Sequence, residues 1–124
     1  MIGDGVFIGP DTTLFCYDKI TFGNDIMVSW GCTFIDTNAH SLNAHERRDD
    51  VRDFIKGPQY KNWDNVKHSP VFIKDNCWVG FNSIITKGVT LEEGTIIGCG
   101  SVVTKNTEPY TVYGGNPAVY LKKA

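Results

Sequence analysis

Aliphatic residues recur at every sixth position in the C-terminal half of the chain. Neither the helical period of 3.6 nor the strand period of 2 produces such spacing. A prism of short strands joined by sharp corners does, because each face then contributes one inward aliphatic side chain. The pattern therefore predicts an all-β parallel β-helix in which three hexapeptides make one coil and coils stack at about 4.8 Å. The six positions are Ile73, Val79, Ile85, Leu91, Ile97 and Val103.

Two further patterns keep the same phase. Four residues after each aliphatic position stands a small or β-branched residue: Cys77, Ser83, Val89, Thr95, Ser101 and Thr107. Between the strands lie residue pairs that tolerate a positive φ, as sharp corners require. These corner pairs are Asp75-Asn76, Phe81-Asn82, Lys87-Gly88, Glu93-Gly94 and Cys99-Gly100.

The N-terminal part follows the same frame with one irregularity. The repeat starts at Ile2, Ile8 and Leu14, slips by two residues, and resumes at Phe22, Val28 and Phe34. A β-sandwich with short strands and glycine-rich turns is the alternative fold, but sandwiches do not keep a six-residue phase over several segments. The β-helix is therefore the predicted fold.

Two segments interrupt the repeat. Residues 41–68 form a long polar stretch that also contains aromatic residues, so we expect a protruding loop that folds over part of the molecule. Residues 107–124 are expected to form a cap that ends in a short basic C-terminal helix. No linker divides the chain, so residues 1–124 are predicted to form one domain.

Composition restricts the function only broadly. The net charge of −2 and the pI of about 5.8 provide no basic stripe, which argues against a nucleic-acid partner. No signal peptide or membrane-spanning run is visible, so a cytoplasmic location without membrane association is expected. The four cysteines contain no C-x-x-C pair and are interpreted as reduced thiols.

Four motifs, in this order along the chain, together resemble one family. They are residues 36–41 (DTNAHS), 76–80 (NCWVG), 98–105 (GCGSVVTK) and 114–118 (GGNPA). With the repeats, they resemble the hexapeptide-repeat acetyltransferases, in the branch of the maltose, galactoside and capsular-sugar O-acetyltransferases. The resemblance implies a left-handed β-helix, a homotrimer, acetyl-CoA as co-substrate without a required metal, and a loop that helps to enclose the acceptor.

One histidine is the candidate catalytic base. Acetyl transfer to a hydroxyl needs a group that is largely neutral near pH 7 and accepts the hydroxyl proton, which suits imidazole. His40 stands where the repeat ends and the long loop begins, as the family's catalytic histidine does. His45 and His68 lack that match and are expected to be solvated. Asp36 either orients His40 or caps a corner, and the sequence favours neither.

The resemblance also suggests residues that bind the acetyl donor. The backbone amide of Phe81 would face the thioester carbonyl, where negative charge develops during attack. Trp78 has an outward phase in the repeat, so it either lines the channel for donor and acceptor, as in the family, or is simply exposed or packed at a trimer interface. At Val119 this chain departs from the family, in which many relatives carry Arg or Lys at that position. The contact of that basic side chain with a phosphate of the acetyl donor is therefore not expected here. The complete set of donor-binding candidates is Trp78, Phe81, Cys99, Thr104, Lys105 and Lys122.

Two other functional classes remain as alternatives. The γ-type carbonic anhydrases share the prism and bind zinc through three histidines, and this chain has three histidines. A non-catalytic prism used for assembly is the second alternative. The acceptor stays open, and a hydroxyl of a sugar or sugar-like molecule is favoured only by the family branch.

Overall fold

The computed structural model describes residues 1–124 and consists mainly of short parallel strands. Thirteen strands, one α-helix and one 3-10 helix follow in chain order. Strands β1 to β5 are Phe7–Ile8, Thr13–Phe15, Ile20–Phe22, Met27–Val28 and Thr33–Ile35. After helix α1 (Ala44–Lys56) and the 3-10 helix (Pro58–Tyr60), strands β6 to β11 are Val71–Ile73, Trp78–Val79, Ile84–Ile85, Thr90–Leu91, Ile96–Ile97 and Val102–Val103. Strands β12 (Thr111–Gly115) and β13 (Ala118–Lys123) end the chain.

These strands form the three faces of a prism. The first face has the order β1-β4-β7-β10-β12-β13, the second β11-β8-β5-β2, and the third β3-β6-β9. Every neighbouring pair is parallel except β12 and β13. Successive strands of the chain therefore occupy successive faces, and each coil hydrogen-bonds to the coils above and below it. The parallel β-helix predicted from the hexapeptide period is confirmed.

The core consists of the columns that the period predicts. All six aliphatic positions from Ile73 to Val103 are at most 1% exposed. The six positions that follow them by four residues are buried as well, from Cys77 to Thr107. Hydroxyls inside the prism bond to backbone carbonyls, as Ser101 Oγ does to Gly98 O at 2.6 Å. Polar side chains in the interior thus find their hydrogen-bond partners in the backbone of the coils.

The corners have the predicted backbone. Each of the five corner pairs has its second residue at positive φ, between 56° and 77°. This conformation turns the chain sharply, so that the next strand starts on a new face. The five residues are Asn76, Asn82, Gly88, Gly94 and Gly100.

Coil length is regular only in the C-terminal part. Val79 pairs with Ile97, and Ile85 with Val103, each eighteen residues apart. In the first coil, Ile8 pairs with Val28, twenty residues away, which is the two-residue slip seen in the repeat. Near this end of the prism, β2 is an edge strand, and Leu14 is 38% exposed.

The long interruption leaves the prism between β5 and β6, at the edge shared by the second and third faces. It was predicted as a loop, but its first half is helix α1. Asn43 caps the helix by accepting hydrogen bonds from the N–H groups of His45 and Glu46, and Gly57-Pro58 ends it.

No helix of this protein has the length and apolar character needed to cross a bilayer.

The predicted short C-terminal helix is wrong. Residues 107–124 instead contain the antiparallel pair β12–β13, joined at Asn116-Pro117. The last coil leaves the edge of β10 unpaired, and β12 pairs with it in parallel. Proline at the turn prevents a continuous helix, and residues such as Val112 and Tyr120 suit a strand. Edge pairing therefore decides the conformation of this segment.

Backbone packing between coils makes one glycine testable. A Cβ added at Gly80 would lie 2.6 Å from the backbone N of Cys99, whereas one at Gly98 would meet nothing closer than 3.6 Å. We expect Gly80→Ala to lower the free energy of unfolding by about 1–3 kcal/mol, because the backbone must shift. Gly98→Ala is the matched control with little effect. Urea unfolding would measure both, and equal effects would contradict this packing argument.

Candidate functional site

His40 is held by a carboxylate from helix α1. Its Nδ1 lies 2.9 Å from Asp50 Oδ2. The His40 side chain is 55% exposed, whereas the Asp50 side chain is only 9% exposed. The buried carboxylate of Asp50 therefore holds the imidazole of His40, which is partly open to solvent.

This contact determines which nitrogen of His40 is available. An ionised carboxylate only accepts hydrogen bonds, so Nδ1 must be the donor. The hydrogen bond from Lys61, followed by that from His40, lowers the pKa of Asp50, although burial opposes the shift. Asp50 is thus ionised near neutral pH. In the neutral imidazole, Nε2 then carries no proton and can accept one.

Lys61 completes the cluster. Its Nζ lies 2.7 Å from Asp50 Oδ2 and 3.4 Å from His40 Nδ1. An ammonium group and a protonated Nδ1 are both donors, so the longer contact is not a hydrogen bond. Instead, the two donors share one carboxylate oxygen. The Lys61 side chain is 6% exposed, and its Nζ lies 4.8 Å from the centre of the Trp63 ring.

Local structure at the start of α1 places Asp50 beside His40. Arg47 Nη1 donates to the carbonyl oxygens of Ser41 and Leu42, both at 3.1 Å. These bonds hold the segment after His40 against the first turns of the helix. Asn43, Glu46 three residues later, and the Gly57-Pro58 end are helix start and stop signals in the sequence. They could have revealed the helix, but not its packing against His40.

An open cleft of about 560 Å³ lies next to His40. Half of its lining is apolar and comes from the exposed side of α1. His40 lines this cleft and Nε2 is the ring nitrogen that Asp50 does not bond, so Nε2 is the atom that can accept the proton of a hydroxyl bound here. The lining residues are His40, Arg47, Asp50, Val51, Phe54 and Ile55.

Asp36 does not contact His40. Its buried carboxylate accepts hydrogen bonds from the backbone N–H groups of Tyr17, Asp18 and Lys19 at 2.7–2.8 Å. Burial acts to raise the pKa of Asp36, but these hydrogen bonds outweigh it and lower the pKa. Of the two interpretations left open by the sequence, corner capping is confirmed. The group that bonds His40 is Asp50, which sequence reasoning missed.

The other two histidines lie apart from this cluster. His45 is exposed in the first turn of α1. His68 Nδ1 lies 3.6 Å from Asp18 Oδ2, and its ring lies against Tyr17. No group of three or more His, Cys, Asp or Glu side chains is arranged to hold a metal ion within the chain. All four cysteines are free, and burial raises the pKa of Cys77 to about 11.

A second feature lies on the prism edge between the first and second faces. Trp30 and Phe81 stack there with ring centres 4.7 Å apart, and both are exposed. Phe81 follows Gly80, and its N–H forms no hydrogen bond within the chain. Cys99 occupies the same corner one coil further on, where Gly100 N donates to Phe81 O. This edge therefore presents a backbone donor beside an aromatic pair.

The remaining predicted donor-binding residues lie on other parts of the surface. Trp78 is 49% exposed and stands in an outward column on the first face, beside Met27 and Ile96. Thr104 and Lys105 are exposed after β11, on the same edge as the His40 segment. Lys122 lies on β13 opposite Val112. Within one chain, the structure thus divides the candidates between the first face, two edges and the β13 end.

The comparisons with known proteins concern the repeats and the fold. Residues 70–105 match the family model described as bacterial transferase hexapeptide (six repeats). A Schizosaccharomyces pombe protein, named provisionally as an acetyltransferase, is 31% identical over 121 residues, which cover 98% of this chain and 51% of that protein. The crystal structure of the polySia-specific acetyltransferase NeuO superposes with a TM-score of 0.78 at 27% identity, covering 98% of this chain and 47% of that one.

A third protein shows the same fold at lower identity. A point mutant of AntD, an N-acyltransferase from Bacillus cereus, was solved with dTDP-4-amino-4,6-dideoxyglucose and coenzyme A. It superposes with a TM-score of 0.74 at 24% identity and covers 98% of this chain and 62% of that one. The resemblance to hexapeptide-repeat acetyltransferases and the left-handed β-helix fold are confirmed. The chain spans about half the length of the S. pombe relative and of NeuO.

Asp36 generates a prediction about stability and pH. Asn can accept through only one oxygen, so Asp36→Asn should lower the free energy of unfolding at pH 7 by about 2 kcal/mol. The native pKa lies below the unfolded value of about 3.9, so the contribution of Asp36 is present above that value. It is lost as the pH falls through the native pKa. Urea unfolding should therefore show a smaller gap between the two proteins at pH 3 than at pH 7, and a constant gap would contradict it.

Proposed function

We propose that this chain, which carries the hexapeptide repeats of bacterial transferases, transfers an acetyl group from acetyl-CoA to a hydroxyl of a sugar or sugar-like acceptor. The observation that carries the proposal is the His40–Asp50 pair, whose imidazole opens onto a cleft. The similarity to proteins named as acetyltransferases supports acyl transfer as the reaction. Residues 1–124 would act as one acyltransferase unit.

His40 acts as the general base in this mechanism. Its Nε2 takes the hydroxyl proton while the acceptor oxygen attacks the carbonyl carbon of the thioester. Asp50 accepts from Nδ1, keeps the ring in the required tautomer, and stabilises the imidazolium that forms. When the tetrahedral intermediate collapses, the carbon–sulfur bond breaks and the proton passes from Nε2 to the leaving thiolate. The products are the acetyl ester and coenzyme A.

The Phe81 corner supplies the group that stabilises developing negative charge. The thioester oxygen becomes an oxyanion during attack, and a preorganised N–H stabilises it. The Phe81 N–H has no partner within the chain, which makes it available for this role. The extended arm of the donor would run past Cys99 and Thr104, with Trp78 along its channel. Lys105 and Lys122 would bind its phosphates.

The proposed site needs more than one copy of the chain. His40 follows β5 and leaves the prism between the second and third faces, whereas Phe81 lies between the first and second faces. One prism places these groups on different edges. A neighbouring prism that brings its Phe81 edge to the His40 edge would complete the site. A cyclic homotrimer forms three equivalent sites in this way.

The acceptor class rests on the comparisons. NeuO is specific for polySia, and AntD was solved with an amino-sugar nucleotide. Both names point to carbohydrate acceptors, but AntD is an N-acyltransferase, so hydroxyl and amine acceptors must both be tested. We favour a hydroxyl, because a neutral imidazole is matched to removing the proton of an attacking alcohol. A screen of sugars and amino sugars with acetyl-CoA, following free thiol release, would separate the two.

Removal of the base is the first test. His40→Ala should lower kcat for acetyl transfer by about 10²- to 10⁴-fold, because the hydroxyl proton has no acceptor. Acetyl-CoA affinity, measured by calorimetry, should stay nearly unchanged, since His40 does not bind the donor. The matched control is His45→Ala, which removes an exposed histidine from the adjacent helix. Wild-type turnover in His40→Ala would contradict the assignment of His40 as the general base.

A second test asks whether two copies build each site. Phe81→Pro removes the proposed donor N–H at a corner position that proline tolerates, while Phe81→Ala keeps the N–H. Phe81→Pro and His40→Ala should each be nearly inactive alone. Co-expressed with different tags and purified through both, they should form mixed trimers in which one interface of the three combines intact groups, and activity should return to about a third of the wild-type value.

The matched pair and the assembly state complete this test. Phe81→Ala should retain far more activity than Phe81→Pro if the backbone donor matters rather than the ring. Light scattering should report a trimer at micromolar concentration. Mixed assemblies with no regained activity would mean that His40 and Phe81 act within one chain or do not share a site.

A further inference from the structure

A buried lysine stands behind the His40–Asp50 pair. Burying an ammonium group costs free energy unless a partner compensates for its lost hydration. The side chain of Lys61 is 6% exposed, in a segment whose neighbours Tyr60 and Asn62 are exposed. Its Nζ donates to Asp50 Oδ2 at 2.7 Å and lies over the Trp63 ring. The polypeptide thus places a cation next to the carboxylate that bonds the candidate base.

We propose that Lys61 is a positioning residue that acts through Asp50 to keep His40 unprotonated and aligned for proton transfer. This inference rests on the proposed role of His40 as general base. Lys61 does not contact the acceptor in this scheme. Its effect comes from its charge and from the oxygen that it shares with Nδ1.

The first effect of Lys61 is electrostatic. An unscreened carboxylate next to imidazole favours the imidazolium, which cannot accept a proton from the acceptor. The Lys61 ammonium is 3.4 Å from His40 Nδ1, so it repels a positive charge on the ring. Asp50 and Lys61 together present nearly no net charge. His40 thus gains its orientation from Asp50, while the lysine offsets the negative charge of the carboxylate.

The second effect of Lys61 is to fix the position of Asp50 Oδ2. Lys61 and His40 donate to the same atom, Asp50 Oδ2. The lysine therefore holds that oxygen in place when the ring moves or changes protonation. The Trp63 ring and the burial of Nζ restrict where the ammonium can lie. Loss of Lys61 would leave the carboxylate free to rotate and would weaken its alignment with Nδ1.

Other charged groups also face this cluster. From α1, Arg47 lines the His40 cleft, but its guanidinium bonds to the carbonyl oxygens of Ser41 and Leu42. On the other side of Asp50, a cavity of about 280 Å³ is lined by the acidic residues Glu46, Asp49 and Asp53. These carboxylates add negative potential around Asp50. Without Lys61, the field at His40 would thus favour the imidazolium still more.

The test is an NMR titration of the His40 imidazole in protein with labelled histidine, with the resonance assigned by its loss in His40→Gln. Lys61→Gln keeps an N–H donor for Asp50 but removes the charge. We expect its His40 titration midpoint to lie about one pH unit above that of the wild type. Lys61→Arg keeps the charge and should stay within a few tenths of a unit. Lys56→Gln, which removes an exposed lysine at the end of α1, is the matched control.

Kinetics provide a second readout. The acid limb of the kcat/KM profile should move to higher pH in Lys61→Gln, so that activity at pH 6 falls by about tenfold while the plateau at high pH is largely kept. Lys61→Arg should restore the wild-type profile. A lysine that only fastens the segment to α1 would lower thermal stability without moving either the NMR midpoint or the acid limb, and that result would overturn the inference.

If Lys61→Gln fails to fold, a second pair of variants that both carry Asp50→Asn still tests the inference. In Asp50→Asn, Lys61 faces His40 without an intervening anion, so the midpoint should fall below that of the wild type. In the double variant Asp50→Asn/Lys61→Gln, the midpoint should rise again. Equal midpoints in the single and double variants would overturn the role of Lys61. The NMR titration does not need turnover. If the wild-type protein transfers no acetyl group, the proposed function is refuted, but the effect of Lys61 on the His40 midpoint can still be measured.

Discussion

The stacking of coils at strand spacing is the constraint on which the rest of this structure depends. Every inward residue must lie directly above its counterpart, so that backbone groups pair and side chains form columns. Val28, Val79 and Ile97 illustrate this, since they are paired in register although fifty-one and eighteen residues separate them along the chain. The same constraint explains why Gly80 has no room for a side chain against the next coil.

This constraint also determines where irregular segments can occur. A strand cannot accept an insertion without breaking the ladder, but a corner can extend outward while the strands on both sides stay in register. The segment between β5 and β6 uses such a corner, and Asp36 stabilises its start by capping the backbone of the neighbouring coil. The insertion is therefore free to carry chemistry. His40, Asp50 and Lys61 all lie on it, while the rigid prism supplies the Phe81 corner.

The division of roles has a consequence for assembly. The chemistry of proton transfer is assigned to side chains on the insertion, and the stabilisation of charge is assigned to a backbone group fixed by the coils. These parts lie on different edges of one prism. Under the proposed function, an acyltransferase built from them would depend on association of two copies. The aromatic residues Trp30, Trp78 and Phe81 are exposed on the single chain and would be available for such a contact.

The sequence by itself determined the prism, because its period, corner residues and inward positions are all local properties of the chain. From Ile73 to Val103, every inward position and every corner could be read in advance. The same local reading located His40 at the end of the repeat. Only the tertiary structure decided that the C-terminal segment is a strand pair, because the open edge of β10 with which it pairs exists only once the coils have stacked. Likewise, Asp50 and Lys61 lie ten and twenty-one residues after His40, and their meeting depends on how α1 and the following segment pack rather than on any spacing in the sequence.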